Sequence, residues 1–183
     1  MKRFIYFILI VFAIVGCGKG YTESVAENLK PVKTDPKTRK TQTDEALLKA
    51  NKVIAEKERK QIKSYIERRK WTMTEYAGVF IQKTHTGCGR AITDSSVVEL
   101  EYTLDLITGE RIYSSQKDGI KKIHFGKTDS EPTGLLYALK TMKEGDNADI
   151  IIPSALAYGL YGDGRKIPSH STLVYNIKIT NVK

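Results

Sequence analysis

The chain has 183 residues, with 30 Lys and Arg against 21 Asp and Glu, a formal net charge of +9. That length suits one domain of ordinary size with extensions. A 40% apolar share excludes a wholly disordered chain, 28% charge excludes a multispanning membrane protein, and 2 cysteines exclude a disulfide scaffold or a Cys-rich zinc site.

Lys2 and Arg3 precede an unbroken apolar run from Phe4 to Val15. A bilayer-spanning helix needs about 20 residues, so the shorter run after a basic start reads as a signal peptide over residues 1–16. Ile14-Val15-Gly16-Cys17 resembles the bacterial lipobox. The resemblance implies that Cys17 is lipidated and becomes the new N-terminus, held to the membrane at about 0.8 kcal/mol per buried CH₂. An ordinary secretory signal or a short anchor is the alternative. Gly18 is not Asp, so nothing there argues for retention at the inner membrane; the expected place is the cell envelope, on the periplasmic side of the outer membrane. Cys88, in Gly87-Cys88-Gly89, reads as an incidental thiol in a turn, with intermolecular pairing as the alternative.

The basic excess lies wholly in residues 1–70, which hold 17 basic and 8 acidic side chains, whereas residues 71–183 hold 13 of each. Nucleic-acid binding by the C-terminal part therefore gains no support from charge. Residues 17–42, rich in Gly, Pro, Thr, Lys and Ser, read as a flexible basic tether. Thr43 then offers an N-cap, with Asp44 and Glu45 in the first turn. No Gly or Pro interrupts the chain from there to Lys70, and Leu47, Ile54, Ile62, Tyr65 and Ile66 recur at near-helical spacing around a polar middle, Glu56 to Gln61. The pattern predicts an amphipathic helix over 43–71. Its thin apolar stripe suits three partners: the following domain, a second copy, or a client chain.

Residues 72–183 suffice for one core. Val98, Leu100, Tyr102, Leu104 and Leu106 alternate with Glu99, Glu101, Thr103 and Asp105. Ala148, Ile150 and Ile152, and Leu173, Tyr175, Ile177 and Ile179, repeat the pattern, and Gly78 to Thr84 offers another strand. Period two with one polar face predicts antiparallel strands. Thr108-Gly109 reads as a hairpin turn and Gly134 to Met142 as a helix stopping near Gly145. The expected fold class is α+β.

The ordered set Tyr102-Thr103, Gly109, Ile112-Tyr113-Ser114-Ser115, Phe125-Gly126, Gly134-Leu135, Met142-Lys143-Glu144-Gly145, Pro153, Ala157-Tyr158-Gly159, Ile167-Pro168 and Thr172-Leu173-Val174-Tyr175 resembles the FKBP-type peptidyl-prolyl isomerases. The resemblance implies a five-stranded sheet wrapped on one short helix, with an apolar pocket between them. Rotating an X-Pro amide crosses a barrier of about 18–20 kcal/mol. No bond is made or cut, so the chemistry needs no nucleophile, metal or cofactor. An apolar pocket disfavours the charge-separated resonance form of the flat amide, and a phenol can donate to its carbonyl. Each 1.36 kcal/mol of preference for the twisted state is tenfold in rate.

By the same resemblance Tyr158 is the hydroxyl donor, and Tyr102 and Tyr175 are strand aromatics of the pocket. Ile112, Tyr113, Leu135, Ile167 and Phe125 would contact the substrate. Three departures bear on activity: Tyr113 stands where Asp is usual, Leu135 where Trp is usual, and Pro132 where a backbone N–H usually holds a ligand carbonyl. A one-residue slip in the 128–133 loop removes the last. Behind the lipobox, Leu139 to Gly145 and Tyr158-Gly159-Leu160-Tyr161-Gly162-Asp163 are similar to FKBP-type lipoproteins associated with gliding motility. The implied partners are proline-containing exported polypeptides, with a catalytically weak chaperone or assembly module as the other reading. His85, His124 and His170 have no metal-ligand spacing.

Overall fold

A computed structural model describes residues 36–127 and 131–183, with side chains from residue 44 onward. Cys17 and residues 1–35 lie outside the described residues. Helix α1 runs from Pro36 to Arg69. It begins ahead of the expected start at Thr43, so residues 36–42 of the expected tether are helical. Proline breaks a helix interior but suits a first turn, where its missing N–H would be unpaired anyway. The helix closes at left-handed Lys70, φ 56°. There Lys70 N donates to Glu67 O and Trp71 N to Ile66 O, the paired bonds of a Schellman closure.

The sheet comprises β1 Thr74–Tyr76, β2 Val79–His85, β3 Val97–Leu106, β4 Arg111–Ser114, β5 Lys121–His124, β6 Asn147–Ile152 and β7 Leu173–Val182. Their order is β1-β2-β6-β7-β3-β4, with β5 also on β3, and every pairing is antiparallel. Among the described residues seven strands stand where five were expected. The physical reason is that β4 and β5 lie end to end along one edge of β3. β4 pairs with Thr103–Asp105 and β5 with Val97–Leu100. One-turn helix α2, Ser115–Asp118, interrupts that edge, and β1 adds a short outer strand. At the predicted hairpin turn between β3 and β4, Gly109 has φ 96°, a conformation open to glycine.

The inner face of the sheet carries the alternating residues predicted from the sequence. Leu100, Leu104, Ile150, Leu173 and Ile177 pack there with Leu135, Ala138 and Leu139 of helix α3, Thr133–Leu139. Gly134 lets that helix approach closely: a Cβ there would meet Ile152 Cγ2 at 2.5 Å.

The outer face is covered too. Phe80, Ile151 and Val174 form a second buried cluster with Ile62 and Tyr65 of α1, joined by the half-buried Ile66, Trp71, Met73 and Ile107. Tyr65 and Trp71 meet edge to face with centroids 5.8 Å apart, and the Arg69 guanidinium lies over both rings. Burying side chains of this size stabilises by about 1.5–3 kcal/mol each. Of the three partners open to the stripe, Ile62, Tyr65 and Ile66 take the domain. Leu47, Leu48, Val53 and Ile54, about two to four turns earlier, remain exposed.

Candidate functional site

Three antiparallel strands bring one row of side chains together. Tyr175 of β7 stands opposite Leu104 of β3, and Leu104 stands opposite Tyr113 of β4. Cross-strand partners share a face, so these three converge. Tyr102 lies two residues before Leu104 on the same face, and its ring meets that of Tyr175 at a centroid distance of 6.4 Å and a tilt of 41°. A 3-10 turn, Ser154–Leu156, delivers Tyr158 from the end of β6. Together Tyr102, Leu104, Tyr113, Tyr158 and Tyr175 line a cleft of about 460 Å³, with Asp118, Lys121, Asp163 and Arg165 around it.

The phenols differ in what they can do. Burial, followed by the fields of Glu131 and Asp163, pushes the Tyr158 hydroxyl up to about 12. It is therefore protonated at neutral pH, a hydrogen-bond donor that finds no partner among the described residues. Tyr175 is only 1% exposed, and its Oη has no hydrogen-bond partner among the described residues. Burial raises its pKa well above the ordinary value. Burial also raises Tyr102, helped by Asp118 and Glu131. The Lys121 ammonium sits 5.4 Å from the Tyr102 ring centroid and bonds both oxygens of Glu131 at 2.8 Å.

Tyr113 is held differently. Its hydroxyl donates to Asp163 Oδ2 at 2.6 Å, and that bond is the main reason its pKa rises to about 12. Asp163 Oδ1 accepts the N–H groups of Arg165, Lys166 and Ile167 at 2.9, 2.9 and 2.8 Å. Burial pushes the Asp163 carboxyl up, but the Tyr113 hydroxyl and the three amides outweigh it and hold the pKa below the ordinary value. The loop that follows Tyr158 is thus folded around one carboxylate and latched to β4. A carboxylate stands at this edge of the cleft after all, supplied by the loop instead of by residue 113.

Four residues expected to contact substrate share one core cluster with Tyr102, Leu104 and Tyr175. Ile112, Phe125, Leu135 and Ile167 are buried in the main core cluster, against which Tyr113 and Tyr158 pack, and are not among the residues lining the cleft. Pro132 caps α3, its carbonyl accepting Leu135 N and Leu136 N; residues 128–130 before it lie outside the described residues. Cleft residues missed from the sequence are Leu104, Asp118, Lys121, Asp163 and Arg165. Asp163 left a signal, since Gly162-Asp163-Gly164 is turn chemistry and Asp side chains fold such turns by accepting nearby amides.

Comparison with known proteins agrees with this geometry. The profile of the FKBP-type peptidyl-prolyl cis-trans isomerases matches residues 88–180. The FKBP-type peptidyl-prolyl cis-trans isomerase FkpA of Escherichia coli strain K12 is 32% identical over 124 residues, covering 68% of this chain and 45% of that protein. The chain thus spans less than half the length of that relative. The crystal structure of Escherichia coli FkpA matches with a TM-score of 0.61 at 27% identity, over 82% of this chain and 74% of that one. A peptidyl-prolyl cis-trans isomerase from Pseudomonas syringae pv. tomato matches with a TM-score of 0.59 at 25% identity, over 72% and 95%. With α+β fold, aromatic cleft and matched sequence in agreement, this chain belongs to the FKBP-type peptidyl-prolyl cis-trans isomerase family.

Proposed function

We propose that this chain is a peptidyl-prolyl cis-trans isomerase that assists the folding of exported proteins. The observation that carries the reading is the protonated Tyr158 phenol, without a partner among the described residues, at a cleft walled by Tyr102, Leu104 and Tyr175. A proline ring enters between the aromatic walls. The side of the cleft formed by Tyr102, Leu104 and Tyr175 offers apolar surface that weakens the resonance keeping the amide flat, and the phenol donates to a carbonyl of the twisted segment. Both interactions favour the half-rotated amide over the planar ones, which is the condition for acceleration. Tyr175 Oη, buried beside the same space, offers a second polar contact to the bound segment.

The finer parts of the proposal rest on sequence. Lys2-Arg3, the apolar run and the resemblance of Ile14-Val15-Gly16-Cys17 to a lipobox support a cell-envelope protein anchored through lipidated Cys17. The similarity to gliding-motility lipoproteins suggests clients among exported motility components. Exposed Leu47, Leu48, Val53 and Ile54 favour pairing of two copies along α1. Among the described residues no helix is long and apolar enough to cross a membrane.

A second reading is a chaperone that binds proline-containing segments without useful acceleration. The observation favouring it is that the Tyr113 hydroxyl is already engaged by Asp163. Exchange spectroscopy on a short Ala-Pro peptide separates the two. Acceleration over background at micromolar protein is expected; binding of the peptide by the folded protein without acceleration leaves only the chaperone. For the anchor, metabolic labelling with a fatty acid should mark the wild type and not Cys17→Ser; labelling of both removes the lipobox reading.

A further inference from the structure

Glu58 lies in the middle of α1, in a stretch whose charge pattern reads as water-facing. Instead its carboxylate reaches the domain. Oε1 accepts the N–H of Ser154 at 2.7 Å and the hydroxyl of Thr172, and Oε2 accepts the Ser154 hydroxyl at 2.9 Å. Both partners are buried. They are also the two ends of the segment that carries Tyr158. Ser154 opens the 3-10 turn, and its carbonyl accepts Ala157 N and Gly159 N at 3.1 and 2.9 Å. Gly159 O in turn accepts His170 N at 2.8 Å, and Thr172 precedes β7. One carboxylate from a helix outside the family match therefore holds both feet of the loop, with Tyr158 and Gly159 between them.

We propose that Glu58 is a positioning residue for Tyr158, so that docking of α1 sets where the phenol stands. Bonds to an ionised acceptor are shorter and about twice as strong as neutral ones. Removing this acceptor leaves the buried Ser154 N–H and Thr172 hydroxyl unpaired, and they recover partners only if the loop shifts. Displacement of a reacting group by about 1 Å costs up to roughly 100-fold in rate. The adjacent Arg59 provides an internal control. It pairs with Glu75 at 2.7 Å on β1 and has no bond to the Tyr158 loop. Both hold the helix to the domain, but only Glu58 holds the loop. The kinetic part of the proposal rests on the isomerase reading.

The test compares Glu58→Ala, Glu58→Gln and Arg59→Ala in the full chain. Amide hydrogen exchange is read at Gly159 and His170, and kcat and KM are read separately on a proline peptide. Glu58→Ala should speed exchange at both amides about tenfold and lower kcat about tenfold with KM little changed, the signature of a misplaced group and not of lost binding. Glu58→Gln, which keeps one carbonyl acceptor for Ser154 N, should fall between. Arg59→Ala should leave the loop amides and kcat at wild-type values. Unchanged loop exchange in Glu58→Ala, equal effects in Arg59→Ala, or faster exchange with wild-type kcat would each overturn the proposal. Should Glu58→Ala not fold, Glu58→Gln decides on the same readouts. A wild type without isomerase activity refutes the isomerase reading alone, and the exchange pattern still supports or overturns the holding of the loop by Glu58.

Discussion

Replacing Asp163 by alanine tests whether the loop over the cleft is held by its carboxylate. Four donors lose their acceptor, and they do not count equally. The amides of Arg165 and Lys166 belong to exposed residues and exchange one partner for water at little net cost. The amide of Ile167, a buried residue, is left without a partner, at about 1–3 kcal/mol. The Tyr113 hydroxyl loses a bond to an ionised acceptor at 2.6 Å; such bonds contribute about 1.5–3 kcal/mol, and the lower end applies because the ring is half-exposed. The sum is about 3 kcal/mol, a fall in Tm of about 10 °C for a chain of this size. Differential scanning calorimetry reads the shift, and prolyl-exchange kinetics should fall about tenfold with it as the loop loosens.

The pH dependence gives the same prediction a sign. The folded carboxyl of Asp163 titrates below its unfolded value. Its stabilisation is therefore complete above the unfolded carboxylate range and disappears as pH falls through the folded value. Tyr113, raised to about 12, shows the opposite sign. Its share persists up to the ordinary phenol range and is lost as pH rises through the folded value. The gap in Tm between wild type and Asp163→Ala should therefore be flat near neutrality and close at the acid end. A Tm within about 2 °C of wild type at pH 7, or a gap that widens in acid, would refute the latch.

Tyr158→Phe should lower kcat/KM tenfold or more, about 1.4 kcal/mol, with no fall in Tm, because its hydroxyl bonds nothing among the described residues; unchanged kcat/KM removes it as the carbonyl donor. Tyr175→Phe should leave Tm unchanged or raise it, since an unpartnered buried hydroxyl is removed at about 1–3 kcal/mol, while KM rises; a clear fall in Tm would mean the phenol is already satisfied by the fold. Asp146→Asn should cost about 3 kcal/mol in urea unfolding, because the fully buried carboxylate accepts Lys83 Nζ, Gly87 N and Lys143 N at 2.9, 2.7 and 3.1 Å. Burial raises that carboxyl, but Lys83 and the amides outweigh it and leave its pKa low, so the difference should vanish as pH falls through the folded value; a pH-independent difference would count against the pairing.

Period two in β3, β6 and β7 was enough to place the inner core, because one strand face meets one helix. The same rule placed Val174 and Ile151 on the opposite face without saying what covers it. Their apolar character, repeated at Phe80, was the signal for a second layer, and the matching stripe of Ile62, Tyr65 and Ile66 was visible on α1. The break between β4 and β5 was not legible, since it depends on a single local turn at Ser115–Asp118. Pro36 misled because the same residue that ends helices also begins them. At the cleft the tyrosines were readable as inward strand positions and a glycine-flanked loop. Asp163 left only the turn signature of Gly162-Asp163-Gly164, and Glu58 left none, for a physical reason: a charge takes its role from the donors that fold around it, and those of Glu58, on Ser154 and Thr172, lie far from it in sequence.

The outer layer has a practical consequence for where the folding unit begins. A chain started at residue 72 keeps every side chain lining the cleft and the whole of the family match, yet it would set Phe80, Ile151 and Val174 in water as one greasy plate. Such a fragment should stick to itself or to detergent. The stub of helix that a boundary drawn by composition would discard is the lid that keeps this plate dry.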